Sequence, residues 1–318
     1  MAAPEHWRKV HKLADRWVPA FARAVGAQRE SIVTRWRALG PEPSLAEIDS
    51  FLGSLEANPP GIDIKKELAV TDLTDAYADV ISTGARLTLV AEPSADARSL
   101  TDSMTVTNPY AVEIAQREAA ALVTGVNQST IDAIRRVITT ATREGSAPRV
   151  QARLIETVIG LDEPRAVAVQ NFERQLLERA ASGQSGSALG RARALAPRVP
   201  ARVNPASVES LVESYARRML RDRALTIART ETMRAANRGV RLAGESLARL
   251  PDITTADIAF VWIVTPDDRL CPRCAPMHDQ VVGFGSPFKE VGGANVTTQT
   301  PPLHARCRCA IARKVEPI

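Results

Sequence analysis

Aromatic residues are scarce: 6 Phe, 4 Trp and 3 Tyr in 318 residues, 4% of the chain. Cysteine is absent until Cys271, and all four cysteines fall from there on. Four cysteines in so long a chain exclude a small disulfide scaffold. The longest wholly apolar run, Ile258–Val264, is far short of the roughly 20 residues of a membrane helix, so no membrane partner is expected. The opening text, MAAPEHWRKVHKLADRW, carries charge with no apolar stretch behind it. A secretory leader is therefore not expected, and a reducing compartment is.

Ala, Arg and Leu propagate helix well, and they dominate this chain. The net charge is +5, from 41 Lys+Arg and 36 Asp+Glu, and it is uneven. Residues 183–250 hold 13 Arg against 5 acidic residues, whereas residues 251–318 hold 7 basic and 7 acidic. A basic stretch beside neutral and acidic ones suits a polyanion or an acidic protein face. The bland alternative is coding bias, since 35 of the 41 cations are Arg and a solvated helix face needs no ligand.

The fold class expected is mainly α, with a small C-terminal α+β module. Helical stripes run over residues 5–26 (Trp7, Val10, Ala14, Trp17, Phe21) and again through Ile32, Val33 and Trp36 to a stop at Gly40-Pro41. Ser44-Leu-Ala-Glu47 is a capping box for a helix with Ile48, Phe51 and Leu55. A further helix spans about 71–90, and the small, polar residues 92–108 read as a loop. Asn108-Pro109 starts a helix with an expected end at Gly125; three more end at Gly145, Gly160 and near Gly183. Residues 182–206, rich in Gly, Ser and then Pro, read as a flexible basic connector. Arg191, Arg193, Arg198 and Arg202 are its candidate nucleic-acid contacts. A long helix from Ser207 to about Leu247 follows, then a strand over 258–264 and a weaker one at Val281–Phe284. The expected domains are 1–107, an N-terminal helical domain; 108–181, a central bundle; 182–206, the linker; and 207–318, the long helix with the small module.

The cysteines are arranged as Cys271-Pro-Arg-Cys274 and Cys307-Arg-Cys309, with His304 three residues before the second pair. Zn²⁺ takes four N or S ligands in a tetrahedron. A CxxC turn supplies one edge, and a CxC pair on extended chain points both side chains to one face, supplying the opposite edge. A structural zinc site is the preferred reading; disulfides and free thiols are the alternatives. Five candidates, Cys271, Cys274, His304, Cys307 and Cys309, compete for four places. No catalytic residue is nominated: a catalytic zinc needs an open position and a nearby base, and so thiol-rich a set favours a closed site.

The C-terminal half resembles the phage Mu F-type (MuF-like) minor head, or head morphogenesis, proteins. The resemblance rests on an ordered set: IARTETMRAANRG at 227–239 with Arg229-Thr-Glu231, the strand residue Trp262, Asp267-Asp-Arg-Leu-Cys271-Pro-Arg-Cys274, and Pro301-Pro-Leu-His304-Ala-Arg-Cys307-Arg-Cys309. It covers about residues 125–312. What it implies is a minor capsid protein of a tailed phage, inside the head near the portal vertex and in the host cytoplasm during assembly. The implied partners are the portal protein, a major capsid or scaffold protein, and phage DNA during packaging or ejection. It implies no enzymatic role. The alternatives are a DNA-binding protein and a metal-dependent enzyme or toxin-related module. Arg229 and Glu231 are read as a helix-borne ion pair that docks the helix on the knuckle.

Overall fold

The computed structural model describes residues 3–57, 68–90, 95–143, 148–182, 203–251, 253–265, 267, 270–292 and 296–314. The connector arginines Arg191, Arg193, Arg198 and Arg202 lie outside them. The described residues form eight α-helices followed by a small strand module: α1 (Ala3–Arg37), α2 (Leu45–Ala57), α3 (Leu68–Leu89), α4 (Ala95–Ser103), α5 (Pro109–Arg143), α6 (Pro148–Val158), α7 (Glu163–Ser182), α8 (Val208–Leu247), then β1 (Ala259–Ile263), β2 (Val281–Gly283), β3 (Phe288–Lys289), β4 (Thr297–Thr298) and β5 (Ala310–Lys314). No helix among them is long and apolar enough to cross a membrane.

Three readings of the sequence are corrected. The stripes expected as two helices before Gly40 are one, α1, running through Pro19 and Gly26. Gly125 does not end a helix but sits inside α5. The expected loop at 92–108 contains α4. An added Cβ would meet nothing within 4 Å at Gly26 or Gly125. Both are open helix glycines that merely weaken the helix. Gly40 and Gly160 do stop helices: their φ values are +92° and +86°, the left-handed region that glycine enters freely.

The chain folds into two compact units that are not successive stretches of sequence. One comprises 1–24, 70–119 and 225–318; the other comprises 25–69 and 120–224. The boundaries fall inside α1, α3, α5 and α8.

Among the described residues, the secondary structure of the unit containing 120–224 is all helical. Its core gathers Ile32, Trp36, Phe51, Leu55, Ile134, Val137, Ile155, Val158, Phe172, Leu176 and Tyr215, all buried. Trp36 meets Phe51 edge-on at 5.3 Å, and Phe172 meets Tyr215 at 4.6 Å. The capping box of α2 closes as read, with the Ser44 amide donating to Glu47 at 2.7 Å and the Glu47 amide to Ser44 Oγ at 3.3 Å.

The other unit carries the strand module. β1 is central in an antiparallel sheet of order β2-β1-β5, with Phe260 opposite Val282 and Trp262 opposite Ile311. β3 and β4 pair as a separate two-stranded sheet. Trp262 joins the two sheets by packing edge-on against Phe288 at 5.2 Å. Phe260 packs against α8, where Gly244 leaves room: a Cβ there would lie 2.4 Å from Phe260 Cζ. α3 approaches α8 through glycines on both sides. A Cβ at Gly239 would be 2.1 Å from the Ile81 carbonyl oxygen, and one at Gly84 would be 2.6 Å from that of Ala236. The N-terminal stretch of α1 belongs to the same unit, with Phe21 edge-on to Tyr77 at 4.6 Å.

Candidate metal centre

Two local structures bring the cysteines together. The CxxC turn is closed by the amides of Cys274 and Ala275, which donate to the Cys271 carbonyl at 2.9 and 3.0 Å. The CxC segment leads into β5, whose pairing with β1 fixes its direction. The five candidate ligands then fall into two overlapping groups whose ligand atoms all lie within 4.8 Å: Cys271, Cys274 and His304, and Cys274, Cys307 and Cys309. Cys274 belongs to both.

The distances suit a metal-binding set. Cys274 Sγ is 3.8 Å from Cys307 Sγ; a tetrahedron of thiolates at 2.3 Å from zinc has an edge of about 3.8 Å. His304 Nε2 is 3.1 Å from Cys274 Sγ. The other ring nitrogen, Nδ1, donates to the Ala305 carbonyl at 2.8 Å. That bond fixes the proton on Nδ1 and leaves the Nε2 lone pair for a ligand, as metal-bound histidines require. Cys274, Cys307 and Cys309 are buried, and Cys271 and His304 are half-buried. None of the cysteines is in a disulfide. Hydrogen bonds from Cys274 and Cys309 hold the Cys307 thiol far below the ordinary thiol range, and the Cys274 thiol is pushed up in consequence. Thiolate is the ligating form.

Several motif residues around the cluster have a definable mechanical part. Asp267 takes the Arg308 guanidinium in a two-point grip at 2.6 and 2.8 Å, the fork geometry that suits Arg and carboxylate. Arg273, inside the CxxC, reaches buried Glu290 at 2.7 Å. From α8, Thr230 Oγ1 accepts the Arg306 amide at 3.0 Å. Seven residues on, Asn237 accepts the Ile311 amide at 2.8 Å and donates to the Cys309 carbonyl at 3.3 Å. Seven residues are nearly two helical turns, so both side chains share one face.

The Arg229–Glu231 pair read from the sequence is not formed. Residues two apart on a helix do not face each other. Glu231 turns inward to Tyr77 Oη and Arg234 Nε, each at 2.9 Å. Arg229 points out to solvent. The helix is docked by the residue between them, Thr230.

Sequence reasoning missed the support from α1. His6 Nε2 donates to the Ile311 carbonyl at 2.9 Å; Trp7 Nε1 and His11 Nε2 both donate to that of Arg308 at 2.8 Å. A carbonyl only accepts, so both imidazoles carry their proton on Nε2. Burial keeps both histidines below the usual imidazole range. The helical stripe signals a buried or docking face at Trp7, but nothing local can name a partner about 300 residues away.

Fold and site together define a small strand module closed by a Cys/His knuckle and clasped by helices. Residues 170–312, a little under half of the chain, match the family model described as Phage Mu protein F like protein, and over that segment the chain is similar to this family. The match covers the last part of α7, α8 and the whole Cys/His cluster. No curated protein and no solved structure matches the chain.

Proposed function

We propose that the protein is a minor component of a tailed-phage head, docked at the portal vertex or inner capsid wall and in contact with DNA during assembly or ejection. The observation that carries this reading is the family match over 170–312, the segment in which the motif residues build and brace the knuckle. The same segment supports a structural role rather than turnover. Three of its carboxylates are spent on docking: Glu231 on Tyr77 and Arg234, Glu290 on Arg273, Asp267 on Arg308.

Zinc is the cofactor that this donor set fits. Cys274, common to both ligand groups, would hold it in any arrangement, with His304 Nε2 and Cys307 beside it. Bound there, the ion would cross-link the CxxC turn to the segment that leads into β5 and add its binding energy to folding. The basic connector, with Arg191, Arg193, Arg198 and Arg202, is the proposed route to DNA.

The test is a pull-down with the portal protein of the same particle at two salt concentrations, with stoichiometry read by mass. A salt-resistant complex of defined copy number is the expected result. No complex at either salt, with capsid and scaffold proteins equally unbound, would overturn head docking.

A further inference from the structure

The strand-bearing unit contains a cleft of about 860 Å³ that none of the motifs explains, lined by Trp7, Arg8, His11, Lys12, Arg229 and Arg306 among others. Two walls are helical, from α1 and α8, and the third is the loop that carries Cys307. Its charge is lopsided. Arg308 and Asp267 also line it but neutralise each other. Arg8, Lys12 and Arg229 are exposed and, among the described residues, make no hydrogen bond or ion pair through their side chains. Asp15 is the remaining carboxylate of the lining.

The other unit offers an internal comparison. Its cleft of about 440 Å³ is just as rich in arginine, but there the cations are matched: Arg37 by Glu156, Arg153 by Glu209, Arg217 by Glu213. A charged cleft in this chain is therefore not cationic by default. Unmatched guanidinium and ammonium groups converging on one concavity mark a site for an anion.

We infer that this cleft binds a nucleic-acid strand through its phosphates, with Arg8, Lys12 and Arg229 as the contacts. The inference deepens the proposed DNA contact and rests on that reading, but it moves the contact from the connector to a built surface. Arg8 and Lys12 are one helical turn apart, about 6 Å along the axis, and so present two donors in a row to a linear polyanion. Arg229 faces them from α8. An acidic peptide would satisfy the same charges. The strand is favoured by the aromatic pair in the lining, Trp7 and His11, whose rings lie 4.0 Å apart at 31°. A cationic groove with an aromatic surface is the usual platform for nucleic-acid backbone and bases.

The experiment uses the full chain and a fluorescent 30-nucleotide probe, single-stranded and as the duplex, with affinity read across a salt series. The triple variant Arg8→Gln, Lys12→Gln, Arg229→Gln changes only exposed side chains, and its melting temperature serves as the folding control. A second variant changes Arg191, Arg193, Arg198 and Arg202 to Gln. Each lost phosphate contact lowers the slope of log K against log salt by roughly 0.7 for a single strand and roughly 0.9 for a duplex. The triple variant is expected to lose about 2 to 3 units of slope. An unchanged slope in the triple variant, with binding lost in the connector variant, overturns the cleft and leaves the DNA reading standing. No binding by the wild-type chain overturns both. Binding of polyglutamate that the triple variant loses, with DNA affinity unchanged, assigns the cleft to an acidic protein segment and overturns the strand.

Discussion

The side chain of Asn237 takes the place of a strand neighbour for Ile311. Its Oδ1 accepts the Ile311 amide at 2.8 Å, while its Nδ2 reaches the Cys309 carbonyl at 3.3 Å. Asn237 is wholly buried. One amide on α8 thus fixes the segment that carries two of the candidate metal ligands into β5.

Replacing Asn237 by Leu should therefore be costly beyond its change of shape. It orphans a buried amide and a buried carbonyl, at about 1–3 kcal/mol for each group left unsatisfied. Chemical denaturation should show a clear loss of stability. A variant as stable as wild type would mean that the two backbone groups find other partners.

Gly239 and Gly125 should respond to alanine with opposite sign. At Gly239 the new Cβ would lie 2.1 Å from the Ile81 carbonyl, and forcing α3 and α8 apart should cost about 1–3 kcal/mol. At Gly125 nothing lies within 4 Å, and the helix should gain about 0.5–1 kcal/mol. Melting temperatures of the two single variants check both; a shift in the same direction would contradict the packing.

Legibility in the sequence follows the range of the physics involved. Gly40 and Gly160 can be read as stops because a breaker supports each: Pro41 directly after the first, Asp162-Glu-Pro164 after the second. Gly26 and Gly125 look the same in a short window but lack that support, and the helices run on. α4, nine residues long and mostly polar, has too weak a stripe to stand out. β5, with the sequence AIARK, escapes a sequence reading because its strand character comes from pairing with β1, about 50 residues earlier. The Cys/His cluster is legible because the CxxC and CxC spacings are local. The clasp of His6, Trp7 and His11 on residues 308–311 is not, since it depends on the whole chain coming round.

That clasp should depend on pH. The fold favours the neutral form of His6 and His11, whose ionisation is lowered chiefly by burial from an ordinary value of 6.5. The unfolded chain binds protons more readily, so stability from these groups is full above about pH 6.5 and falls as acid drives them to charge in place. Hydrogen exchange over residues 3–15 should be slow at pH 7.5 and, after correction for the intrinsic rate, less protected at pH 5. Equal protection at both would show that the histidines do not hold the helix.

Cys274 offers the sharpest division of metal arrangements. Since its Sγ belongs to both ligand groups, Cys274→Ser should abolish zinc binding and lower the melting temperature, as chelation of the wild-type chain should. Of Cys271→Ser, His304→Ala, Cys307→Ser and Cys309→Ser, the one that keeps one zinc per chain identifies the candidate outside the tetrahedron. One tightly held zinc in Cys274→Ser, by elemental analysis, would sink the shared-ligand arrangement.

The proposed role in a phage head is tested most directly by the protein composition of purified particles, heads and tails separated, by quantitative mass spectrometry. The account predicts the chain in DNA-filled heads at a few copies each and its absence from free tails. Heads that assemble, package DNA and infect without containing it would contradict the account.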